Sequence, residues 1–156
     1  MPKKLKFRAW KPFDQIMLKI DSINLDCNIG IVKLAHGIVN TKQSSYTDNT
    51  TVLMQYTGLT DSEGKEIYEC DLLEFVVDEP LAEEQEKRIL IGSVDFDAGC
   101  FWINTKERFY NGLTYTDNTP LYQYAYRCKV IGNIFQTPDI YQYPEKYIEQ
   151  KTKDLK

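Results

Sequence analysis

Met54-Gln55-Tyr56-Thr57-Gly58-Leu59 leads into Asp61-Ser62-Glu63-Gly64-Lys65-Glu66-Ile67-Tyr68-Glu69, and Asp71-Leu72-Leu73-Glu74-Phe75-Val76-Val77 follows after Cys70. Residues 52–57 read as a strand. Asp61 to Gly64 has Asp at the first position and Gly at the fourth, as a type I turn prefers. Gly58 and Gly64 permit tight turns, and Ile67 and Tyr68 are placed to pack. Asp71 is of the residue type that accepts backbone N–H groups and sets the start of a following strand. The apolar residues from Leu72 to Val77 are that strand, ended by Pro80. Strand, turn, strand with no helical period between them puts this chain among the β proteins.

The same pattern continues outward on both sides. Leu5, Phe7 and Ala9 alternate with Lys4, Lys6, Arg8 and Trp10, a period of two that marks a half-buried strand. Residues 16–25 alternate again, and 29–39 are rich in β-branched residues but broken at Gly30 and Gly37. A polar loop is expected over 41–50. Beyond Pro80, residues 81–88 are helix formers in a run too short for a stable isolated helix, so an exposed excursion is expected. Residues 89–96 and 100–105 read as a hairpin about Asp97-Ala98-Gly99. A second polar loop is expected over 110–120 and a strand-like stretch over 121–135, interrupted at Gly132-Asn133. Thr137-Pro138 starts a helix, with Thr as N-cap and Pro at the first helical position. The residues from Lys151 onward read as a polar, frayed tail. Tyr46-Thr47-Asp48-Asn49-Thr50 recurs as Tyr115-Thr116-Asp117-Asn118-Thr119, which is read as two similar polar loops because repeat architectures need three or more units.

Many short strands with turn signals between them predict a mainly β domain, barrel or sandwich, with minor short helices including one at the C-terminus. The expected organisation is one β domain over 1–143 and a helical or frayed tail over 144–156. The 156 residues suffice for a core without disulfide staples. Eleven Tyr and seven Phe suit pleated, half-buried surfaces.

The net charge of −4 gives no global field for nucleic acid, so such binding would need a local basic patch. Lys3, Lys4, Lys6, Arg8 and Lys11 supply one. The cysteines Cys27, Cys70, Cys100 and Cys128 have no zinc-knuckle spacing. Met1 leads into charged residues with no apolar signal run, and no stretch is long and apolar enough to span a membrane. Reduced thiols, a cytoplasmic location and no membrane partner are expected.

Three segments together carry a family resemblance: Lys6-Phe7-Arg8-Ala9-Trp10 with Met17; the run from Met54 to Asp71; and Val130-Ile131-Gly132-Asn133-Ile134-Phe135 with Pro138. In order, spacing and length the chain resembles the YopX family of phage and prophage proteins. The resemblance implies a phage or prophage setting in a bacterial host cytoplasm and no catalytic residues. The family usually reads Glu-Gly-Asp where this chain has Glu69-Cys70-Asp71. If that glycine is needed for a positive φ, Cys70 is strained. The strand start at Asp71 is also like that of small SH3-like barrels, an analogy of fold and not of function.

Glu63, Glu66, Glu69 and Asp71 cluster in sequence, but an acid/base pair must be held across a cleft, and a solvated turn with one structural Asp explains them. His36 lacks a paired nucleophile. There is no phosphate loop, no G-x-S-x-G and no H-E-x-x-H. No enzyme activity, catalytic residue, metal or cofactor is expected. Lys4, Lys6, Arg8 and Trp10 are the candidate nucleic-acid contacts, combining cations for phosphates with a ring for bases. An edge strand guarded by lysines explains the same residues. Tyr122, Tyr124 and Tyr126 alternate and would share one strand face, as an interface, a stacking platform or sheet packing. The leading expectation is a non-catalytic accessory protein that binds a phage or host protein, or itself as a homo-oligomer. A nucleic-acid-binding β-barrel module is the alternative.

Overall fold

Asp71 to Asp78 is the strand on which the larger unit of the molecule is built, and both of its faces are buried from Asp71 to Leu73. The structure is a computed structural model and describes residues 5–20, 22–26, 31–35, 45–46, 51–78, 87–108 and 114–154. His36, most of the loop over 41–50 and residues 81–86 lie outside them. The fold is mainly antiparallel β with a few short helices, one of them C-terminal. The chain divides into two compact units, Met1–Gly58 and Leu59–Lys156.

In the first unit, β1 (Phe7–Lys11) and β2 (Ile16–Ile20) form a hairpin in continuous register from Phe7↔Ile20 to Lys11↔Ile16. Lys11 Nζ lies 2.5 Å from Asp14 in the connecting turn, where Gln15 takes φ 53°. The alternation over 16–25 resolves into two strands, β2 and β3 (Ser22–Asp26). The latter pairs with β4 (Ile31–Ala35), which in turn pairs with β5 (Ser45–Tyr46). β6 (Val52–Thr60) joins the free side of β1, from Phe7↔Gln55 to Trp10↔Val52. Ala9 and Ile20 are buried with Phe7 and Leu18 packed against them. Trp10 and Met54 are buried as well.

The second unit takes in the end of β6, then β7 (Glu66–Tyr68), β8 (Asp71–Asp78), β9 (Lys87–Asp97), β10 (Cys100–Arg108), β11 (Thr114–Pro120) and β12 (Lys129–Asn133). Five of these strands form an antiparallel sheet in the order β11-β10-β9-β8-β12. β9 and β10 are the expected hairpin. Its two-residue turn has positive φ at both central positions, Ala98 (49°) and Gly99 (79°), the backbone that matches strand twist.

Period two sorts the side chains to opposite faces of this sheet. Leu73, Phe75, Val94, Ile103 and Val130 point to one side and pack with Ile67, Leu121, Ala125 and Cys128 in the main core. Leu72, Ile91, Ser93 and Asn104 point to the other, against Ile140, Tyr141 and Pro144. Those three come from α2 (Pro138–Gln142) and the start of α3 (Pro144–Asp154). The sheet is therefore a middle layer, and Gly92 lies within it because an added Cβ would stand 2.5 Å from Ile103 Cγ2.

Two readings of the sequence are corrected. The polar run over 110–120 contains β11, paired with β10 from Trp102↔Pro120 to Arg108↔Thr114. Edge strands bury little, so apolar periodicity does not report them; the threonines of this run are the β-formers that do. Residues 121–127 are not a strand but α1 (Leu121–Tyr124) followed by a 3-10 turn (Ala125–Arg127). Leu121 and Ala125, four apart, are the buried pair, a helical spacing that the alternating tyrosines concealed. The helix at Pro138 forms as expected, but the Thr137 hydroxyl does not cap it. It donates to Asn133 O at 2.9 Å and accepts from Asn133 N at 3.1 Å. That loop is closed tightly enough that a Cβ on Gly132 would stand 2.1 Å from Thr137 Oγ1. The tail is helical through Asp154 and docks on β8, where Tyr147 Oη donates to Glu74 at 3.2 Å and Lys151 pairs with the same carboxylate.

Cys70 takes φ 64°, so the position where the resemblance implies glycine holds left-handed backbone in this chain. A side chain there costs about 1–2 kcal/mol, offset in part by the extra chain entropy that glycine loses on folding. Cys70→Gly should therefore raise stability by about 0.5–1 kcal/mol, read as a higher urea midpoint at unchanged m; an unchanged or lower midpoint refutes the strain. Gly132→Ala should lower stability by about 1–3 kcal/mol in the same assay.

Candidate functional site

Asp61 sits at the turn that ends β6 and is 5% exposed. One carboxylate oxygen accepts Glu63 N and Lys65 N, each at 2.9 Å, and the other accepts Val130 N at 2.9 Å. Two of these bonds shape the turn and the third fastens it to the outer edge of β12. Ser62 N adds a bond to Cys128 O at 2.9 Å, and Gly64, at φ 82°, lets the chain reverse. Burial alone would raise the Asp61 carboxyl, but the N–H donors of Val130, Lys65 and Glu63, with the Lys65 ammonium nearby, outweigh it and hold the group below the ordinary 3.8.

Asp71 repeats the device on a smaller scale. It is buried and accepts Tyr68 N at 2.8 Å, fixing the β7–β8 turn as its residue type predicts. Gly58 also takes left-handed backbone, at φ 86°, but it lies within β6 and not in the tight turn expected there. The neighbouring carboxylates do not converge on a cleft: Glu63 pairs with Lys129 at 2.6 Å in solvent, and Glu66 accepts Tyr68 Oη at 2.8 Å. Among the described residues no three His, Cys, Asp or Glu side chains gather as metal ligands would.

The Asp61 turn also secures the segment before β12. Cys128 N donates to Tyr124 O at 3.0 Å and its thiol to Ala125 O at 3.2 Å, so with Ser62 N on its carbonyl Cys128 is bonded through N–H, C=O and side chain. Burial, with Asp61 nearby, pushes that thiol up to about 12, which leaves it an unreactive core group. Leu121 and Ala125 face the core, and the Tyr124 ring packs on Phe75 with centroids 5.4 Å apart and planes tilted by 58°. The remaining tyrosines of the segment face out: Tyr122 and Tyr126 are each 63% exposed. Gln123 Nε2 donates to Tyr122 Oη at 3.3 Å, and the Arg127 guanidinium lies 5.1 Å from the Tyr126 ring centroid. The three tyrosines thus part company. Two are presented on a turn whose backbone is held from behind, and the third is part of what holds it.

The basic strand is arranged differently. Lys4 lies outside the described residues. Lys6 Nζ is 5.2 Å from the Tyr56 ring centroid, Arg8 Nε donates to Met54 Sδ at 3.4 Å, and Trp10 is buried, so its ring is not offered to a base. An open groove of about 430 Å³ lies along α2 and α3, lined by Asp139, Ile140, Tyr143, Lys146, Tyr147 and Gln150. No described helix is long and apolar enough to cross a membrane.

Because the Asp61 carboxylate is depressed, its contribution to stability is complete above about pH 4 and is lost as pH falls below the ordinary 3.8 toward the folded value. Asp61→Ala leaves three N–H donors without their acceptor and should cost about 3 kcal/mol or more. Its deficit, measured as urea midpoints across pH, should be constant from pH 7 to pH 5 and shrink on further acidification. A deficit that grows with acidification contradicts the assignment.

No curated protein matches the chain. It is similar to a solved structure, the crystal structure of protein EF1440 from Enterococcus faecalis, at 23% sequence identity and a TM-score of 0.49, over 89% of this chain and 99% of that one. The family model described as YopX protein matches residues 6–142, from the start of the basic strand to the end of α2. The chain belongs to the YopX family.

Proposed function

We propose that this protein is a non-catalytic accessory module of a phage or prophage, working in the cytoplasm of the bacterial host by binding a protein partner, a second copy of itself included. The observation that supports this is the pair Tyr122 and Tyr126, exposed on a backbone that the Asp61 turn, Cys128 and the core hold in place. Tyr brings large contact area and a hydroxyl at low entropic cost, and Tyr and Arg are enriched where binding energy concentrates. A held backbone lowers the ordering cost of association. Arg127, next to Tyr126, adds a cation that can pair with a carboxylate on the partner.

The nucleic-acid alternative has less to stand on. It retains Lys6 and Arg8, both in contact with β6 side chains, and loses Trp10 as a stacking ring. Salt-sensitive binding of single-stranded DNA or RNA, abolished by Lys6→Ala with Arg8→Ala, would restore it.

Tyr122→Ala with Tyr126→Ala should leave folding stability within about 0.5 kcal/mol of the parent, since both side chains are exposed. The same variant should weaken self-association in sedimentation velocity, or capture of a partner by immobilised protein, by tenfold or more. Association and capture equal to the parent's would remove these tyrosines from the interface. A parent protein that stays monomeric at high concentration and captures nothing would remove the proposal.

A further inference from the structure

Tyr122, Gln123, Tyr126 and Arg127 are the exposed side chains of α1 and the 3-10 turn after it. Ala125 N donates to Leu121 O, which closes a helical turn and brings residues four apart to one side. Leu121 and Ala125 take the core side, so Tyr122 with Tyr126, and Gln123 with Arg127, take the outer one. Contacts join the members of this patch: Gln123 Nε2 donates to Tyr122 Oη at 3.3 Å, and the Arg127 guanidinium lies 5.1 Å from the Tyr126 ring centroid.

Charge is what the patch leaves unmatched. Lys11 pairs with Asp14, Lys129 with Glu63 and Lys151 with Glu74. Arg127 has a ring beside it but, among the described residues, no carboxylate. The ring's quadrupole attracts the cation without using its N–H donors. Those donors form a planar fork that fits a carboxylate in two parallel bonds. The patch itself carries no acid.

We infer that the Tyr122–Arg127 patch docks a peptide segment of a partner protein that carries an Asp or Glu beside an apolar side chain, with the carboxylate on Arg127 and the apolar group against the tyrosine rings. The inference deepens the proposal above and rests on its protein-binding reading. Charge complementarity selects the occupant. In a chain of net charge −4, a nucleic acid would need several cations together, and the next one along, Lys129, is already matched by Glu63. A second copy pairing patch to patch about a two-fold axis would bring cation to cation and supply no acid. An acidic segment meets the fork and leaves two rings to bury apolar area, the combination of Tyr and Arg in which interface energy concentrates.

Selection of a displayed library of random peptides on the intact chain tests this, with binding of the enriched peptides then measured by fluorescence anisotropy. Enriched peptides should carry Asp or Glu. Replacing that residue by Asn or Gln should weaken binding about tenfold, as should Arg127→Gln in the protein. Arg127→Lys, which keeps the charge and loses the fork, should restore only part of it. Arg127 is exposed, so both variants should keep the parent's urea midpoint. Enriched peptides without acids, lost in Tyr122→Ala with Tyr126→Ala but bound equally by Arg127→Gln, overturn the acidic partner and leave the tyrosine interface standing. A parent dimer that is lost in Arg127→Gln, with no peptide enriched, overturns the peptide and gives the patch to a second copy. Oligothymidine bound in place of peptides, and released by Arg127→Gln, overturns it in favour of nucleic acid. No enrichment at all overturns the inference, whatever else the protein captures.

Discussion

The Asp61 carboxylate is the constraint on which the second unit depends. One side chain in a sharp turn satisfies backbone donors from two residues next to it and one from a strand far along the sequence. A buried carboxylate is tolerated only when its oxygens are bonded, and here those bonds outweigh the burial that would otherwise neutralise it. The result fixes where β12 stands. β12 in turn fixes where the helical segment before it ends, and Ser62 and Cys128 close the circuit. The exposed tyrosines inherit their position from this chain of bonds rather than from packing of their own.

The central part of the second unit's sheet, around Leu72, Leu73 and Ser93, is covered on both faces, and this shapes its sequence. β8 reads as a near-continuous apolar run because Leu73 and Phe75 face the main core while Leu72 faces α2. Glu74 is the exception, and it is placed where Tyr147 and Lys151 of α3 meet it, so the C-terminal helix docks by polar contacts at one end and apolar ones at the other. With charges matched to its dipole, Glu145 in the first turn and Lys151 and Lys153 in the last, an 11-residue helix that would be marginal alone persists as a cover.

Among the described residues, the non-glycine positions with left-handed backbone, Gln15, Cys70 and Ala98, stand where the chain reverses. Cys70 holds left-handed backbone between β7 and β8, with its N–H on Val94 O and its carbonyl taking Ile134 N. Surrounding bonds over-determine that conformation, which is how a residue with a side chain comes to hold it.

Sequence by itself determined the β class, the Asp61–Gly64 turn, the role of Asp71, the β9–β10 hairpin and the family, because each depends on local backbone preference or on period-two burial. Gly64 and Asp71 were legible for that reason, whereas Gly58 stands within β6 rather than in a turn. Only the tertiary structure decided that residues 121–127 are helical, that residues 114–120 are a strand, and that the three tyrosines separate into two exposed and one packed. Tyrosine is amphipathic, so its spacing does not say which face is buried; the burial of Leu121 and Ala125 does. An edge strand gains its hydrogen bonds from a neighbour and not from its own pattern. Asp61 is the sharpest case: its place in a turn could be read from its neighbours, but its bond to Val130 joins residues far apart in the chain, and only the folded molecule brings them together.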